Sequence, residues 1–179
     1  MIANFRNWLI FNFRLQAALF AFGSDAQATV VGDNGTATAT IAGAISVAKY
    51  ETGSTTGGDL AFGNIIAGPS SGTVTINPFG SGSRSFTTVS GTNLLPFGPA
   101  QFQVTGDANA NYTVSLPSSD ITIYSDTNTM TVDSFTKTVT TGTLTNGTDV
   151  FRVGGTLHVG ANQPSGTYSG TFNVTAAYN

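Results

Sequence analysis

An alternation of apolar and polar residues with period two, in short runs cut by Gly, Pro, Asn and Ser, most constrains what this chain can become. The last run, "SGTYSGTFNVTAAYN", shows it best. Tyr168, Gly170, Phe172, Val174, Ala176 and Tyr178 fall on one face of an extended strand, with Thr167, Ser169, Thr171, Asn173, Thr175 and Ala177 on the other. Similar runs are "GTVTINPF", "RSFTTV", "AQFQVTG", "NYTVSLP", "DITIYS", "MTVDSF" and "VFRVGGTLHVG". Strand-like runs spaced about 8–12 residues apart and bounded by turn formers predict an antiparallel sandwich or barrel. Helix-forming patterns are missing after residue 28, and charged residues make up only 8% of the chain, against about 25% in an ordinary soluble domain. The expected class is all-β.

The first 28 residues read differently. Arg6 gives a positive start, Leu15 to Phe22 is an apolar core, and Ala26-Gln27-Ala28 is a small-x-small cleavage site. This is the pattern of a secretory signal peptide, and it predicts a mature N-terminus at Thr29. Arg14 and Asn12 interrupt the apolar run, which falls short of the roughly 20 residues a bilayer span needs. No stable membrane span is expected after cleavage. The expected organisation is a signal peptide over 1–28, an N-terminal extension over 29–42 and a sandwich over 43–179. There is no cysteine, so an exported domain of this sequence has to be held by its core without disulfides. The net charge of −3 is scattered, with no basic patch of the kind nucleic acid requires.

Catalytic chemistry has little to draw on. His158, the only histidine, alternates with Leu157 and Val159 and is expected on the solvent side of a strand. No G-x-S-x-G elbow is present, and Glu51 is the only glutamate. Asp107, Asn109 and Asn111 match the first ligand spacings of a calcium loop. The following glycine is missing and Ser118 stands where the bidentate glutamate belongs, so the segment reads as an Asx-rich turn. Asn34, Asn111, Asn146 and Asn173 sit in N-x-[ST] sequons, which are frequent by chance in a chain this rich in Asn and Thr. The sequence points to no enzyme, cofactor or metal. Phe62, Phe102, Tyr112, Phe135, Phe151, Phe172 and Tyr178 read as core, and Phe79, Phe86 and Phe97 as candidates for exposed contact.

Four strings in order, "DLAFGNIIAG", "FQVTGDANANYTVSLP", "NTMTVDSF" and "LHVGANQPSGTYSGTFNVTAAYN", carry a resemblance to a group of exported bacterial proteins catalogued as a domain of unknown function. More distantly, the layout resembles the spore-coat-U-like pilins of the archaic chaperone–usher pathway. The shared features are a signal peptide, an alternating N-terminal segment, an "FG" motif and a final strand of the G-T-Y-x-x-T-x-x-V type. That likeness implies an immunoglobulin-like sandwich lacking its last strand, filled by a periplasmic chaperone and then by the N-terminal segment of the next subunit. It also implies an outer-membrane usher as partner. The absence of cysteine departs from those pilins, which usually carry a disulfide.

On this reading the chain is a subunit of a surface fibre or pilus that forms a homo-polymer by donor-strand exchange. The candidate donor strand is Thr29 to Ile41, whose Val31, Ala37, Ala39 and Ile41 share one face, followed by a first domain strand near Ala44 to Tyr50. The candidate acceptor-groove strand is the last one, through Tyr168, Gly170, Phe172, Val174, Ala176 and Tyr178. Two alternatives remain open. The run "TATATIAGAISV" can be one long first strand that closes the sandwich within its own chain. The domain can also be a self-contained secreted sandwich that binds a glycan or another cell-surface component through loops such as "NPFGSGSRSF".

Overall fold

The computed structural model describes residues 43–80 and 82–179, and every regular element among them is a strand. In chain order the strands are β1 (Ser46–Lys49), β2 (Asn64–Ile66), β3 (Gly72–Ile76), β4 (Arg84–Thr87), β5 (Ser90–Thr92) and β6 (Ala100–Thr105). They continue with β7 (Asn111–Ser115), β8 (Ile121–Ser125), β9 (Asn128–Lys137), β10 (Thr141–Thr143), β11 (Thr148–Val159) and β12 (Thr175–Tyr178). The expected signal peptide and the candidate donor residues Val31, Ala37, Ala39 and Ile41 lie outside the described residues.

β11 is the spine. Its first half, Thr148 to Val153, pairs with β6, and its second half, Gly155 to Val159, pairs with β3. β9 also pairs with β11, through a register shift between Gly154 and Thr156. β1 extends the sheet beyond β6, β4 beyond β3 and β8 beyond β9. A smaller sheet runs β10-β7-β12, and β2 pairs with β5 in a two-stranded ribbon. Every pairing is antiparallel, and the arrangement is an all-β sandwich.

Two segments join the layers. After β9, the Thr138 amide still bonds the Arg152 carbonyl at 3.0 Å, but the Thr140 carbonyl accepts from the Val114 amide at 3.0 Å, so the chain passes from β11 to β7 within three residues. The C-terminal segment makes the same passage. Ser169 exchanges two backbone bonds with Tyr124 of β8, at 2.9 and 3.0 Å, and β12 then pairs with β7 in the smaller sheet. The final run is therefore regular strand only over Thr175–Tyr178, although it reads as one strand from Tyr168 onward. Its β8 and β7 neighbours belong to different sheets, and Gly170–Val174 bridges the gap with no backbone hydrogen bond among the described residues. The alternation survives as burial: Tyr168, Phe172, Val174, Ala176 and Tyr178 are half-buried, while Gly170 and the odd-numbered positions are exposed.

The inward positions form two cores. One gathers Val74, Val89, Ile123, Met130, Val132, Leu157 and Val159, with Phe62, Ile65, Phe86 and Tyr168 against it. The other gathers Val104, Tyr112, Val114, Leu144, Phe151 and Val153, with Phe102, Phe172, Val174, Ala176 and Tyr178 packed on it. Leu60 and Phe135 touch both. Tyr112 is fully buried, and its hydroxyl donates to Asp149 Oδ2 at 2.7 Å. The β10–β11 turn follows from local chemistry. Asn146 and Gly147 both take positive φ, 54° and 83°, as a tight hairpin turn demands of its two central residues.

Candidate functional site

β2 is hydrogen-bonded to β5 and, among the described residues, has no strand partner on its other side. The unpaired stretch Gly170–Val174 also presents free backbone. A groove of about 940 Å³ is bounded by these two segments, with Asp59 to Ala67 along one wall and Gln163 to Phe172 along the other. Its floor is the inner face of the large sheet: Ile121, Ile123, Met130, Val132, Leu157 and Val159. The alternation of β8, β9 and β11 creates that floor, since each sends its odd or even apolar set to one side. The small sheet covers the other half of the large one, so over this half only the β2–β5 ribbon and the C-terminal segment serve as a second layer.

The C-terminal wall is fixed by side chains. Gln163 donates to the Thr129 carbonyl at 3.1 Å and to the Tyr168 hydroxyl at 2.9 Å, and that hydroxyl donates to the Pro164 carbonyl at 2.8 Å. At Gly170 the chain passes so close to β8 that a Cβ would lie 2.8 Å from Ile123 Cγ2 and 2.9 Å from the Thr122 carbonyl oxygen. Phe172 stacks on Phe135, with centroids 5.2 Å apart, and meets Phe102 edge-on at 6.0 Å. The expected groove strand is thus divided. Tyr168, Gly170 and Phe172 line the groove, whereas Val174, Ala176 and Tyr178 pack on the second core.

The other singled-out residues sit apart from the groove. His158 is on the outer face, as its alternation predicts, and its Nε2 is 2.9 Å from Asp133 Oδ2. That hydrogen bond holds the Asp133 carboxyl below the usual carboxylate range, with a smaller contribution from Ser134, while burial pushes the other way. Asp107, Asn109 and Asn111 have separate duties. The Asp107 carboxylate accepts the Gly43 amide at 2.7 Å, Asn109 takes a φ of 64° in the turn, and Asn111 Oδ1 accepts the Thr143 hydroxyl at 2.8 Å. Phe79 is exposed, but Phe86 packs against the first core, and both Phe86 and Phe97 stack on the Arg84 guanidinium. Arg84 escaped the sequence reading, although it shares a period-two face with Phe86.

These features define a class: an antiparallel β-sandwich in which one half of the large sheet's inner face is left partly open. The chain belongs to the family described as "Domain of unknown function (DUF4402)", whose model matches residues 52–178. No curated protein and no solved structure matches it.

Proposed function

We propose that this protein is an exported structural subunit of a bacterial surface fibre, and that the groove accepts a strand from a neighbouring copy. One observation carries the reading: among the described residues, an apolar floor lies between the free edge of β2, which is paired only with β5, and the segment Gly170–Val174, which has no ladder partner. Such edges are templates for strand addition, in which main-chain bonds supply affinity and alternate side chains enter the floor. The occupant is Thr29 to Ile41, with Val31, Ala37, Ala39 and Ile41 inward. Ile41 would contribute about 1.5–3 kcal/mol by burial and the alanines less, so ladder bonds along the strand supply much of the grip.

Chain reach supports exchange between copies. Gly43 is tied to Asp107, beside Thr105, which pairs with both Ser46 and Thr148. Leu157, on the groove floor, lies nine residues further along β11, about 30 Å away, and Phe172 is six residues from Tyr178, about 20 Å. Tyr178 itself is anchored at this end by accepting the Asp107 amide at 2.6 Å. Ile41 and Ala39, two and four residues before Gly43, can extend only about 7 and 13 Å from it, whereas Ala37 and Val31, six and twelve residues before it, can extend about 20 and 40 Å. The four inward residues therefore cannot all enter their own groove, whereas a neighbour's groove sets no such limit. A periplasmic chaperone would occupy the groove before assembly, and an outer-membrane usher would be the site of exchange.

Deleting Thr29 to Ile41 tests this. The truncated subunit should stay folded in the presence of a peptide of that sequence and should no longer form fibres, as seen by size exclusion and electron microscopy. Fibres that persist after the deletion overturn the reading and favour the self-contained, surface-binding sandwich.

A further inference from the structure

The ribbon that forms one groove wall is secured by an unusual anchor. Arg84 occupies an inward position on β4, opposite Ile76 of β3, between the exposed Ser85 and the loop before it. Its guanidinium reaches across to the ribbon. Nη1 donates to the Phe62 carbonyl at 2.8 Å, just before β2, and Nη2 donates to the Thr92 carbonyl at 3.0 Å, at the end of β5. Nη2 also meets Asn93 Oδ1 at 3.2 Å. Its Cζ lies over two rings, 4.0 Å from the centroid of Phe97 and 4.8 Å from that of Phe86. Gly63 makes room for it: a Cβ there would sit 2.5 Å from Nη1, and the φ of 73° at that position suits glycine. Among the described residues no carboxylate pairs with Arg84.

A lone cation on the inner side of a sandwich costs desolvation, and burial lowers its pKa accordingly. Here it donates to carbonyls of both ribbon strands, Asn64 of β2 at 3.5 Å and Thr92 of β5 at 3.0 Å, and two aromatic rings lie against it. A planar fork can grip two carbonyls at once, which an ammonium on the same stem cannot do with the same geometry.

We propose that Arg84 is a positioning residue for the groove: a guanidinium latch that clamps both strands of the β2–β5 ribbon to β4 and so keeps that wall of the groove in place. The anchoring role stands on the contacts alone; its bearing on strand uptake rests on the donor-strand reading above. The ribbon consists of two three-residue strands, and an isolated two-stranded ribbon is marginal in water. Without the clamp, the wall opens locally while the sheets persist.

Amide hydrogen exchange on the full exported chain, wild type against Arg84→Lys, reads this directly. Amides of β2 and β5 should exchange about tenfold faster or more in the variant, as the loss of charge-assisted bonds implies, while those of β9 and β11 keep their protection. A ribbon that stays equally protected overturns the latch, and so does an equal loss in every strand. If Arg84→Lys does not fold, Phe97→Leu removes one stacking face and leaves the carbonyl contacts. It should loosen the same ribbon to a smaller degree, and an unaltered ribbon overturns the proposal. A labelled Thr29–Ile41 peptide then addresses function: it should bind the wild-type chain and bind the variant about tenfold more weakly. If wild type binds no peptide and also stays monomeric, so that no neighbour's strand fills the groove, the donor-strand reading fails and the exchange data still decide the latch. If both bind it equally, Arg84 does not position the groove.

Discussion

Replacing Phe172 by Ala asks whether the unpaired C-terminal segment belongs to the fold or merely lies on it. Phe172 has no ladder to hold it, since the backbone from Gly170 to Val174 bonds to nothing among the described residues. Its attachment is the ring, stacked on Phe135 at 5.2 Å and edge-on to Phe102 at 6.0 Å. Full burial of a phenylalanine is worth about 3–5 kcal/mol on truncation to alanine. Phe172 is half-buried, which lowers that figure, while two aromatic pairs add about 0.5–1.5 kcal/mol each. The expected loss is about 3 kcal/mol, a large share of the roughly 5–15 kcal/mol available to a domain. At about 2–4 °C per kcal/mol for a chain of this size, the melting temperature should fall by about 10 °C. Thermal and urea unfolding of the protein measure it, with Asn173→Ala on the exposed face as a control within about 0.5 kcal/mol. A melting temperature that does not move for Phe172→Ala would show that the segment is peripheral and that the groove lacks a fixed C-terminal wall.

Tyr112→Phe deletes a hydroxyl that burial and Asp149 hold well above the ordinary phenol pKa; urea unfolding should show a loss of about 1.5–3 kcal/mol, the value of a hydrogen bond to a charged group. Asp133→Asn tests the outer-face pair with His158. The Asp133 carboxyl is depressed in the folded state, so its stabilisation is complete above the unfolded carboxylate pKa of about 3.9 and is lost as pH falls through the lower folded value. The variant should show a shallower loss of stability on acidification than wild type, by less than about 1 kcal/mol for a pair this exposed.

Much of the architecture was legible because period two reports burial directly. The runs around Val74, Val104, Tyr112, Ile123 and Leu157 each became a strand, with those residues inside. The aromatics read as core did pack there, through Phe102, Tyr112, Phe135, Phe151 and Phe172. What alternation cannot carry is which strand lies beside which. The groove depends on the ribbon and the C-terminal segment lining opposite sides of one floor, and the His158–Asp133 pair depends on the register of β9 against β11. Phe86 was misread because its Gly- and Ser-rich surroundings outweighed the short alternation of "RSF". The terminal run reads as unbroken because its side chains do alternate throughout; only the change of pairing strand, from β8 at Tyr124 to β7 from Ser115 onward, interrupts it.

The placement of Gly43 and the groove at opposite ends of β11 has a consequence for symmetry. If each subunit gives a strand at one end and receives one at the other, the contact joins two different surfaces and so has no two-fold axis. Repetition of such a contact generates an open chain unless its rotation happens to close a ring. The resulting filament has direction: at one terminus a subunit keeps an unfilled groove, at the other an unspent strand. Growth and capping are then distinct events at distinct ends, and a single subunit lacking residues 29–41 would terminate one end while leaving the other free to elongate.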